Sequence, residues 1–451
     1  MDPTGEVTEL LQLLIRNACV NDGTAASGHE ARNSDLLRAY LGDTGLDLET
    51  YEPTPGRTSL VARIEGHDPS APTLCLMGHT DVVPVTPEGW RRDPFGGELV
   101  AGDDGTPEVW GRGAIDMLNL TASMAVAFRH LAVTGWKPAG TLVYFAVADE
   151  EAGGRHGAEW VTEHEYEAVR ADYVLTESGG ISMPSAGGPR VTVTTGEKGI
   201  AWRRLRIEGT PGHGSMPFGT DNALVKAAEV VRRLVDFRSP AKITDTWRAY
   251  ASALDLPADV RAGLLDPARV WETCAALAVD DPKLAKFAHA CTHMTFSPNV
   301  VHGGVKTNVI PDVVEIDVDI RTLPGEDEVD VAANLREALG DLADAVVITT
   351  IQSARSTASP TSTPLWDVIG RSVAKLTPGG AGLVPRMTAG GTDARFYRDK
   401  GAVAYGCGLF SPGLTMQDFA NRFHGHDERV DVESLRLTTE LWTAVATDLL
   451  G

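Results

Sequence analysis

Residues 73–81 read Thr-Leu-Cys-Leu-Met-Gly-His-Thr-Asp, so a short apolar run passes directly into a histidine and an aspartate. Two more apolar runs end in acidic residues: Thr141–Ala148 leads into Asp149-Glu150-Glu151, and Tyr173–Thr176 leads into Glu177. A long helical pattern lies between the first two runs. Strands that alternate with helices predict an α/β domain with a mainly parallel sheet. The carboxyl ends of the strands in such a sheet form its ligand crevice, so we expect these histidine and carboxylate side chains to meet there.

The chain changes character near Gly196. Trp202–Gly209 and Val313–Ile320 alternate like half-exposed strands, and much of the stretch between them, including Ser239–His293, has helical patterns. These patterns predict a smaller α+β domain, after which α/β character returns. We therefore predict that one domain is inserted into another: residues 1–197 and 355–451 form the two parts of the first domain, and residues 198–354 form the insertion.

The composition argues against several classes of function. The 451 residues carry 62 acidic and 40 basic side chains, a formal charge of −22. Such an acidic surface repels phosphate backbones and anionic lipids. No apolar run approaches the roughly 20 residues of a membrane helix, and the acidic start of the chain is unlike a signal peptide. The five cysteines include no Cys-x-x-Cys pair, so neither a disulfide framework nor a thiolate zinc site is indicated. We expect a cytoplasmic protein that binds neither nucleic acid nor membranes.

Two further residues extend the set of candidate metal ligands. Asp116 ends the glycine-rich stretch Gly111–Asp116, and His424 follows the last apolar strand. Carboxylates and histidines without thiolates suit zinc, and by the same geometry cobalt or manganese. Five ligands exceed the needs of one tetrahedral catalytic ion, but a carboxylate shared by two ions about 3.5–4 Å apart accounts for them. Each motif alone is also typical of a surface turn or a solvated loop. Their joint occurrence is what indicates a metal site.

With these motifs the chain resembles the di-zinc metallopeptidase family that includes aminoacylase, carboxypeptidases S and G, succinyl-diaminopimelate desuccinylase and acetylornithine deacetylase. The resemblance covers nearly the whole chain. It is carried, in the family's order, by Gly78–Pro84, Trp110–Met117, Asp149–Gly154, Pro211–Ser215 and His424–Arg429. It implies an α/β fold in which a zinc-peptidase catalytic domain with a mainly parallel sheet receives an inserted α+β lid and dimerisation domain. A homodimer formed through the lid is therefore expected.

The resemblance also implies two zinc ions per subunit, for which Co²⁺ or Mn²⁺ would be substitutes. Asp116 would bridge the two ions. His79 and Glu177 would complete the first ion, and Glu151 and His424 would complete the second. Alignment with the aminoacylase motif selects His424 from its His-x-His pair, a choice that spacing alone does not decide.

Two more residues receive roles in the reaction from the same resemblance. Glu150 would be the general base and later the general acid, and Asp81 would orient His79. Two dications can bring the pKa of a water between them to near neutrality, and a carboxylate beside that water can pass its proton to the leaving amine. The assigned roles therefore agree with the chemistry that amide hydrolysis requires.

Four residues match the family's substrate-binding positions. His213, in Pro-Gly-His, would reach into the partner subunit's site and polarise the scissile carbonyl. Asn308 and Arg321 would grip a substrate carboxylate, which a guanidinium group binds through two hydrogen bonds. Gly391 would contact the same end of the substrate through its backbone N–H. In the structural alternative, His213 only caps a turn and Arg321 only pairs with surface acids.

These expectations lead to one reaction and two alternatives. We expect metal-dependent hydrolysis of an amide bond, in an N-acyl amino acid or short peptide with a free carboxylate, as in an aminoacylase. A dipeptidase or carboxypeptidase would use the same residues and differ in what fills the acyl pocket. A non-catalytic binding homologue is the alternative from another class. The retention of Glu150 together with all five ligand residues argues against that alternative.

Overall fold

The computed structural model describes residues 2–102, 104–185 and 187–451. Its strands are β1 (Leu48–Tyr51), β2 (Ser59–Ile64), β3 (Thr73–His79), β4 (Glu98–Ala101), β5 (Pro107–Trp110), β6 (Thr141–Val147), β7 (Tyr173–Thr176), β8 (Ser182–Met183), β9 (Arg190–Glu197), β10 (Gly199–Glu208), β11 (Gly212–His213), β12 (Thr295–Gly303), β13 (Val309–Ile310), β14 (Val313–Thr322), β15 (Val346–Ala354), β16 (Thr357–Ala358), β17 (Gly382–Thr388), β18 (Val403–Gly406) and β19 (Arg429–Asp431). Its α-helices are α1 (Thr4–Arg16), α2 (Ala31–Leu41), α3 (Leu118–Val133), α4 (Ala158–His164), α5 (Tyr166–Val169), α6 (Ala223–Asp236), α7 (Asp245–Ala253), α8 (Ala258–Leu264), α9 (Val270–Asp280), α10 (Pro282–Thr292), α11 (Glu328–Leu339), α12 (Pro364–Leu376), α13 (Ala394–Asp399), α14 (Met416–Arg422) and α15 (Val432–Leu450). Short 3-10 helices lie at Gly42–Thr44, Pro87–Gly89, Glu150–Ala152 and Gly340–Ala345.

The described residues form one large sheet of ten strands in the order β1-β2-β6-β3-β7-β18-β9-β16, with β8 and β17 also paired to β9. The central strands β6, β3, β7 and β18 are parallel, and β1 and β2 at one edge are antiparallel. In the β3–β6 pair, His79 lies opposite Val147. His79 and the residues that follow Val147 therefore lie at the same edge of the sheet. The parallel centre confirms the predicted α/β class with a mainly parallel sheet.

Helices cover both faces of this sheet. Strand β6 reads Thr-Leu-Val-Tyr-Phe-Ala-Val, and every residue after the first is buried. Such a continuous apolar run is typical of a strand that is covered on both sides. One face packs against α1, α2, α3, α12 and α15, and the other packs against α4, α5 and α13. The core therefore holds the strand ends that carry the candidate site in fixed positions.

A second, antiparallel sheet has the strand order β12-β14-β10-β15. These four strands all lie between Gly199 and Ala354, whereas β9 and β16, the strands on either side in the chain, belong to the large sheet. In β10, buried residues alternate with more exposed ones, and the buried side chains pack under α6 and α11. This sheet and its two helices form the unit that we call the lid.

The helical stretch between α6 and β12 packs on the large sheet. Trp247 of α7 is buried in a cluster with Met183 of β8 and with Val384 and Met387 of β17. Helices α7 to α10 contribute the rest of this cluster. Helices α7 to α10 therefore extend the core of the large sheet, while the lid sheet stands apart from it with its own core.

Candidate metal centre and active site

The candidate site forms where the parallel strands end. His79 is the last residue of β3, and Glu177 is the first residue after β7. Asp149 follows β6 by two residues and leads into the 3-10 turn Glu150–Ala152. Because β6, β3 and β7 are adjacent and parallel, these side chains converge at one edge, as the sequence predicts.

Two groups of potential ligand atoms share Asp116. His79, Asp116 and Glu177 form the first group, and Asp116, Glu151 and His424 form the second. Within each group the nitrogen and oxygen atoms all lie within 4.8 Å of one another. The structure therefore brings together the five residues that the sequence analysis singled out as ligands, with Asp116 at the centre of the arrangement.

The individual distances place Asp116 between two histidines. His79 Nε2 lies 3.3 Å from Asp116 Oδ1, and His424 Nε2 lies 2.8 Å from Asp116 Oδ2. His424 Nε2 is also 3.4 Å from Glu151 Oε2. The ring of His426 instead packs against Gly89, where an added Cβ would meet it at 2.3 Å. His424 is thus the histidine of the His-x-His pair that faces the carboxylates.

Asp81 holds the residues around it in position. The backbone carbonyl of Asp81 accepts a hydrogen bond of 3.0 Å from His79 Nδ1, which leaves Nε2 unprotonated in the neutral ring and available as a metal ligand. The carboxylate of Asp81 accepts the backbone N–H groups of Glu150 and Glu151 at 3.3 and 3.1 Å. One residue therefore orients a histidine and fixes the turn that carries two glutamates.

Glu428 fixes the loop that carries Asp116. Its buried carboxylate accepts the backbone N–H groups of Gly113, Ile115 and Asp116 at 3.1, 2.7 and 3.0 Å. It also forms an ion pair of 2.6 Å with Arg112, which is only 3% exposed. Glu428 lies in the motif His424–Arg429, and the sequence alone predicts no role for it. The feature of the sequence that could have pointed to Glu428 is a carboxylate shortly after the candidate ligand His424.

The electrostatics of the site show a strongly negative environment. Burial lowers the pKa of His79, but hydrogen bonding to Asp116 and the charge of Glu150 raise it well above its ordinary value overall. For His424, burial is likewise outweighed by Asp116 and Glu151, which raise its pKa to about 10. Burial and the charge of Glu177 raise the pKa of Glu150 well above its ordinary value.

The donor set fits divalent metal ions. Carboxylate oxygens and imidazole nitrogens without thiolates are the donors of catalytic zinc, cobalt and manganese sites. Glu151 Oε1 is buried and has no hydrogen-bond partner within the described residues, as expected of an atom that would face a cation. A dication at each group would compensate the excess of carboxylates that raises the histidine pKa values.

The predicted lid residues lie outside this cluster. His213 and Asn308 are adjacent, because the N–H of Gly214 donates to the carbonyl of Asn308 at 2.8 Å. The exposed ring of His213 accepts the N–H of Ser215 at Nδ1, at 3.2 Å, so the neutral ring carries its proton on Nε2. Arg321 on β14 donates to Asp319 through Nε at 2.7 Å. The turn contact of His213 and the pairing of Arg321 with an acid, which the purely structural explanation of these residues requires, are therefore both present. The turn contact occupies only Nδ1 of His213, so the Nε2–H remains available as a donor.

Gly391 lies in a loop that is linked through Arg395 to the turn that carries Glu150. The N–H and hydroxyl of Thr392 donate to the buried Glu197 at 2.5 and 3.0 Å. Arg395 lies beside Gly391 and donates to the carbonyl of Gly153 at 2.7 Å. The loop is therefore connected to the turn that carries Glu150.

Asp393 is a residue whose part in the site the sequence analysis missed. It sits at the N-cap position of α13 but makes no capping hydrogen bond. Its side chain is buried, and both carboxylate oxygens lack a hydrogen-bond partner within the described residues. Burial is the main cause that raises the pKa values of Glu150 and Glu177, and the charge of Asp393 adds to it. Only the chain fold reveals this, because an aspartate before a helix ordinarily indicates a cap.

The fold and the site together define a class of protein, the metal-dependent hydrolases that act on amide or peptide bonds. A family model described as Peptidase family M20/M25/M40 matches residues 75–448, and the chain belongs to this metal-dependent family. Aminoacylase-1 of Sus scrofa is 28% identical over 410 residues, which cover 89% of this chain and 87% of that relative.

Solved structures of other proteins share the fold. The M20 family metallo-carboxypeptidase Sso-CP2 from Sulfolobus solfataricus matches with a TM-score of 0.71 at 19% identity, covering 100% of this chain and 99% of that one. Human carnosine dipeptidase 1 matches with a TM-score of 0.69 at 16% identity, and the match covers 99% of this chain and 96% of the dipeptidase chain. Within the described residues, no helix combines the length and apolar character needed to cross a membrane.

Proposed function

We propose that the protein is an aminoacylase-like hydrolase that cleaves the amide bond of an N-acyl amino acid with a free carboxylate. The observation that carries the proposal is the pair of ligand groups that share Asp116 next to Glu150. The 28% identity to aminoacylase-1 across most of both chains supports this substrate class. A short peptide is the alternative substrate for the same residues.

The metal centre would be formed by two zinc ions. His79, Asp116 and Glu177 would hold the first ion. Glu151 and His424 would hold the second, with Asp116 as the shared ligand. When bound, such ions polarise a substrate carbonyl and lower the pKa of the attacking water. Co²⁺ and Mn²⁺ accept the same oxygen and nitrogen donors and would be substitutes.

Glu150 would carry the proton during the reaction. Its Oε2 lies 3.9 Å from His79 Nε2, and its side chain is 13% exposed, so water can reach a carboxylate that stands beside the metal ligands. It would take a proton from the attacking water and deliver it to the nitrogen of the leaving amine. Asp81 would assist by holding His79 and the Glu150 backbone in place.

The lid would supply the substrate contacts. We propose that the divisions 1–197, 198–354 and 355–451 are the functional domains of the chain. The Nε2–H of His213 would donate to the scissile carbonyl in the partner subunit's site, and Asn308 and Arg321 would bind the substrate carboxylate. Arg321 uses Nε and Nη2 for Asp319, so its Nη1 is available for a second acid. Gly391 would bind the same carboxylate through its N–H.

A homodimer would complete the site. The outer edge of the lid presents large exposed apolar side chains on α6 and β12: Leu224, Val225, Val235, Val300 and Val301. Apolar groups concentrated on one surface are typical of a protein interface. All five cysteines are buried and free, which supports a cytoplasmic location.

The test is amine release from zinc-loaded protein, measured across N-acetyl amino acids, long-chain N-acyl amino acids and unblocked dipeptides. We expect turnover of acylated substrates that is lost with a chelator and restored by zinc. Turnover of dipeptides alone would keep the residue roles and make the protein a dipeptidase. Absence of turnover on all three sets, with metal bound, would contradict the proposed function.

A further inference from the structure

A buried hydrogen-bond network lies behind the turn that carries Glu150 and Glu151. The turn begins at Asp149, whose φ of 70° and ψ of 14° are left-handed. This conformation is uncommon for a residue with a side chain, and it persists only where surrounding contacts enforce it. Asp149 is 2% exposed. The contacts that enforce its conformation therefore lie inside the protein and can be identified.

Glu30 and Arg57 hold Asp149 from the first side. The N–H of Asp149 donates to Glu30 Oε1 at 3.2 Å. Arg57 Nη1 donates to the same oxygen at 2.6 Å and lies 3.5 Å from Asp149 Oδ1. The other carboxylate oxygen of Asp149 accepts the N–H of His156 at 2.8 Å. Both the backbone and the side chain of the left-handed residue are thus held by buried partners.

Asn21 connects this group to Asp81. Its amide nitrogen donates one hydrogen to Asp81 Oδ2 at 2.8 Å and the other to Asp149 Oδ1 at 3.1 Å. Its amide oxygen accepts a hydrogen bond of 3.1 Å from Arg57 Nη2. Both N–H donors of the amide are therefore used by two buried carboxylates, and Asn21 itself is only 3% exposed.

We propose that Asn21 and Arg57 are positioning residues for Glu150 and Glu151. Asp81 receives the N–H groups of both glutamates, so a continuous chain of contacts runs from Arg57 through Asn21 and Asp81 to the turn. The proposal rests on the function proposed above, because it assigns the network to the residue that moves the proton and to a metal ligand. An amide is the required group between Asp81 and Asp149, since a carboxylate there would add a third negative charge and remove both donors.

The test compares Asn21→Ala with Asn17→Ala in zinc-loaded protein. Asn17 is the control of the same residue type in the same part of the chain: its amide donates to Asn33 Oδ1 at 2.9 Å and to the Arg32 carbonyl at 3.1 Å, and it bonds to no carboxylate of the network. Its link to the site is indirect, through the hydrogen bond of 2.8 Å from Asn33 to the Thr80 carbonyl. We expect Asn21→Ala to lower kcat roughly 10–100-fold with KM within about twofold of wild type. Asn17→Ala should keep the wild-type kcat.

A second readout does not depend on turnover. The Co²⁺-substituted proteins are titrated, and the visible spectrum of bound Co²⁺ and its dissociation constant are recorded. We expect Asn21→Ala to change both, because the N–H donor that fixes Asp81 beside the Glu151 backbone is lost. For the second network residue, the expected order of kcat is wild type, then Arg57→Lys, then Arg57→Met, since lysine keeps the charge but cannot reach both Glu30 and Asn21.

The outcomes separate the two proposals. A wild-type protein that turns over no substrate contradicts the proposed function. An active wild type whose kcat and Co²⁺ spectrum are both unchanged in Asn21→Ala overturns the positioning role. If Asn21→Ala does not fold, as judged by circular dichroism, Asn21→Ser takes its place, because serine retains one hydrogen-bond donor. The expected results are again a lowered kcat and a changed Co²⁺ spectrum. If Asn21→Ala or Asn21→Ser lowers the melting temperature but leaves kcat unchanged, the positioning role of Asn21 is also overturned.

Discussion

At the scale of single residues, the proposed reaction depends on the position of the Glu150 carboxylate beside the candidate metal ligands. Glu150 is next in sequence to the candidate ligand Glu151, and Asp81 holds the backbone of both. We predict that Glu150→Ala lowers kcat by about 10²–10⁴-fold, the contribution of a positioned acid–base group, while the two metal ions stay bound. The measurements are steady-state kinetics and metal content by elemental analysis.

The matched control for this substitution is Glu163→Ala, which removes an exposed glutamate from α4. It should leave both the rate and the metal content unchanged. A Glu150→Ala protein that is as active as wild type would contradict the role of Glu150. Loss of metal together with activity would instead make Glu150 a ligand.

The pH dependence of the reaction should respond to Asp393. Burial is the largest cause of the raised pKa of Glu150, and the negative charges of Glu177 and Asp393 raise it further. A general base works in its ionised form, so activity rises as the pH increases through its pKa. Burial raises the pKa of Asp393 itself to about 7, so its negative charge is present in full only above that pH. Asp393→Asn removes this charge and lowers the pKa of Glu150 where Asp393 is ionised. We predict that the acidic limb of the profile of kcat/KM against pH moves to lower pH by about one pH unit.

The control for Asp393→Asn is Asp399→Asn, at the exposed end of the same helix α13. Its profile should match that of wild type. An acidic limb that stays in place in Asp393→Asn, or moves to higher pH, would show that Asp393 does not act on the base.

The sequence predicts the ligand residues better than the residues that position them. His79, Glu151 and Glu177 lie at or just beyond the ends of apolar runs, so their place at a strand end is encoded locally. Asn21 and Arg57 lie in loops far from those runs and carry no motif of their own. Their importance arises because Asn21 meets Asp81 across 60 residues of sequence, a contact that only the fold creates.

At the scale of the secondary-structure elements, the site depends on how loops are fixed between strands. The loop from Gly111 to Asp116 contains no regular structure, and the buried carboxylate of Glu428 accepts three of its N–H groups. Strand β19 begins at the next residue and pairs with β5, so Arg429 lies opposite Trp110. The segment that carries His424 and the loop that carries Asp116 are therefore held as one unit.

We predict that Glu428→Ala lowers zinc affinity roughly 10–100-fold, because the Asp116 backbone loses its acceptor. It should also lower the free energy of unfolding by about 3–5 kcal/mol, since Arg112 would remain buried without its carboxylate partner. Competition with a zinc chelator and chemical denaturation measure the two effects. Glu433→Ala, at the exposed start of α15, is the control and should change neither quantity by a comparable amount.

Strands were predictable where the apolar pattern is continuous. The predicted bounds of Tyr173–Thr176 match β7, and the run Thr141–Ala148 ends one residue beyond β6. Strand β9 was not predicted because it reads Arg-Val-Thr-Val-Thr-Thr-Gly-Glu, and its buried threonines look polar in sequence. Strand β12 was missed because it contains Pro298 and lies at a sheet edge with mostly exposed residues. Strand β12 therefore lacks the alternation of buried and exposed residues on which such predictions depend.

At the scale of the whole molecule, the lid is joined to the large sheet by two short connections at β9 and β16 and by helices α7 to α10, which pack on the large sheet. The chain leaves the large sheet at β9 and enters the lid at Gly199, and it leaves the lid at Ala354 to return through β16. Between β9 and β10, Lys198 is buried and donates to the carbonyl of His293 at 2.8 Å. The lid therefore has a defined attachment. Its edge strand β12, opposite the edge formed by β15, pairs with β14 alone among the residues that the structure describes.

That free edge leads to the prediction of a dimer. Val301 on β12 is 60% exposed and lies opposite Ile316, whose side chain is in the lid core beneath α6. Light scattering should give twice the chain mass of 48.0 kDa. We predict that Val301→Lys yields monomers, because a charge would be buried at the interface. Val279→Lys, on α9 and 83% exposed, should remain a dimer.

The catalytic consequence of the dimer can be tested by mixing two inactive variants. If the His213 of one subunit acts in the site of its partner, then His213→Ala and Glu150→Ala chains, dissociated and reassociated together, form mixed dimers with one complete site. That site takes Glu150 from the first chain and His213 from the second, so mixing should restore turnover that neither variant shows alone. The exposed ring of His213, with its proton on Nε2, has the donor that this role requires. If mixed dimers form and stay inactive, His213 acts within its own subunit, and the lid edge then serves association without completing the site.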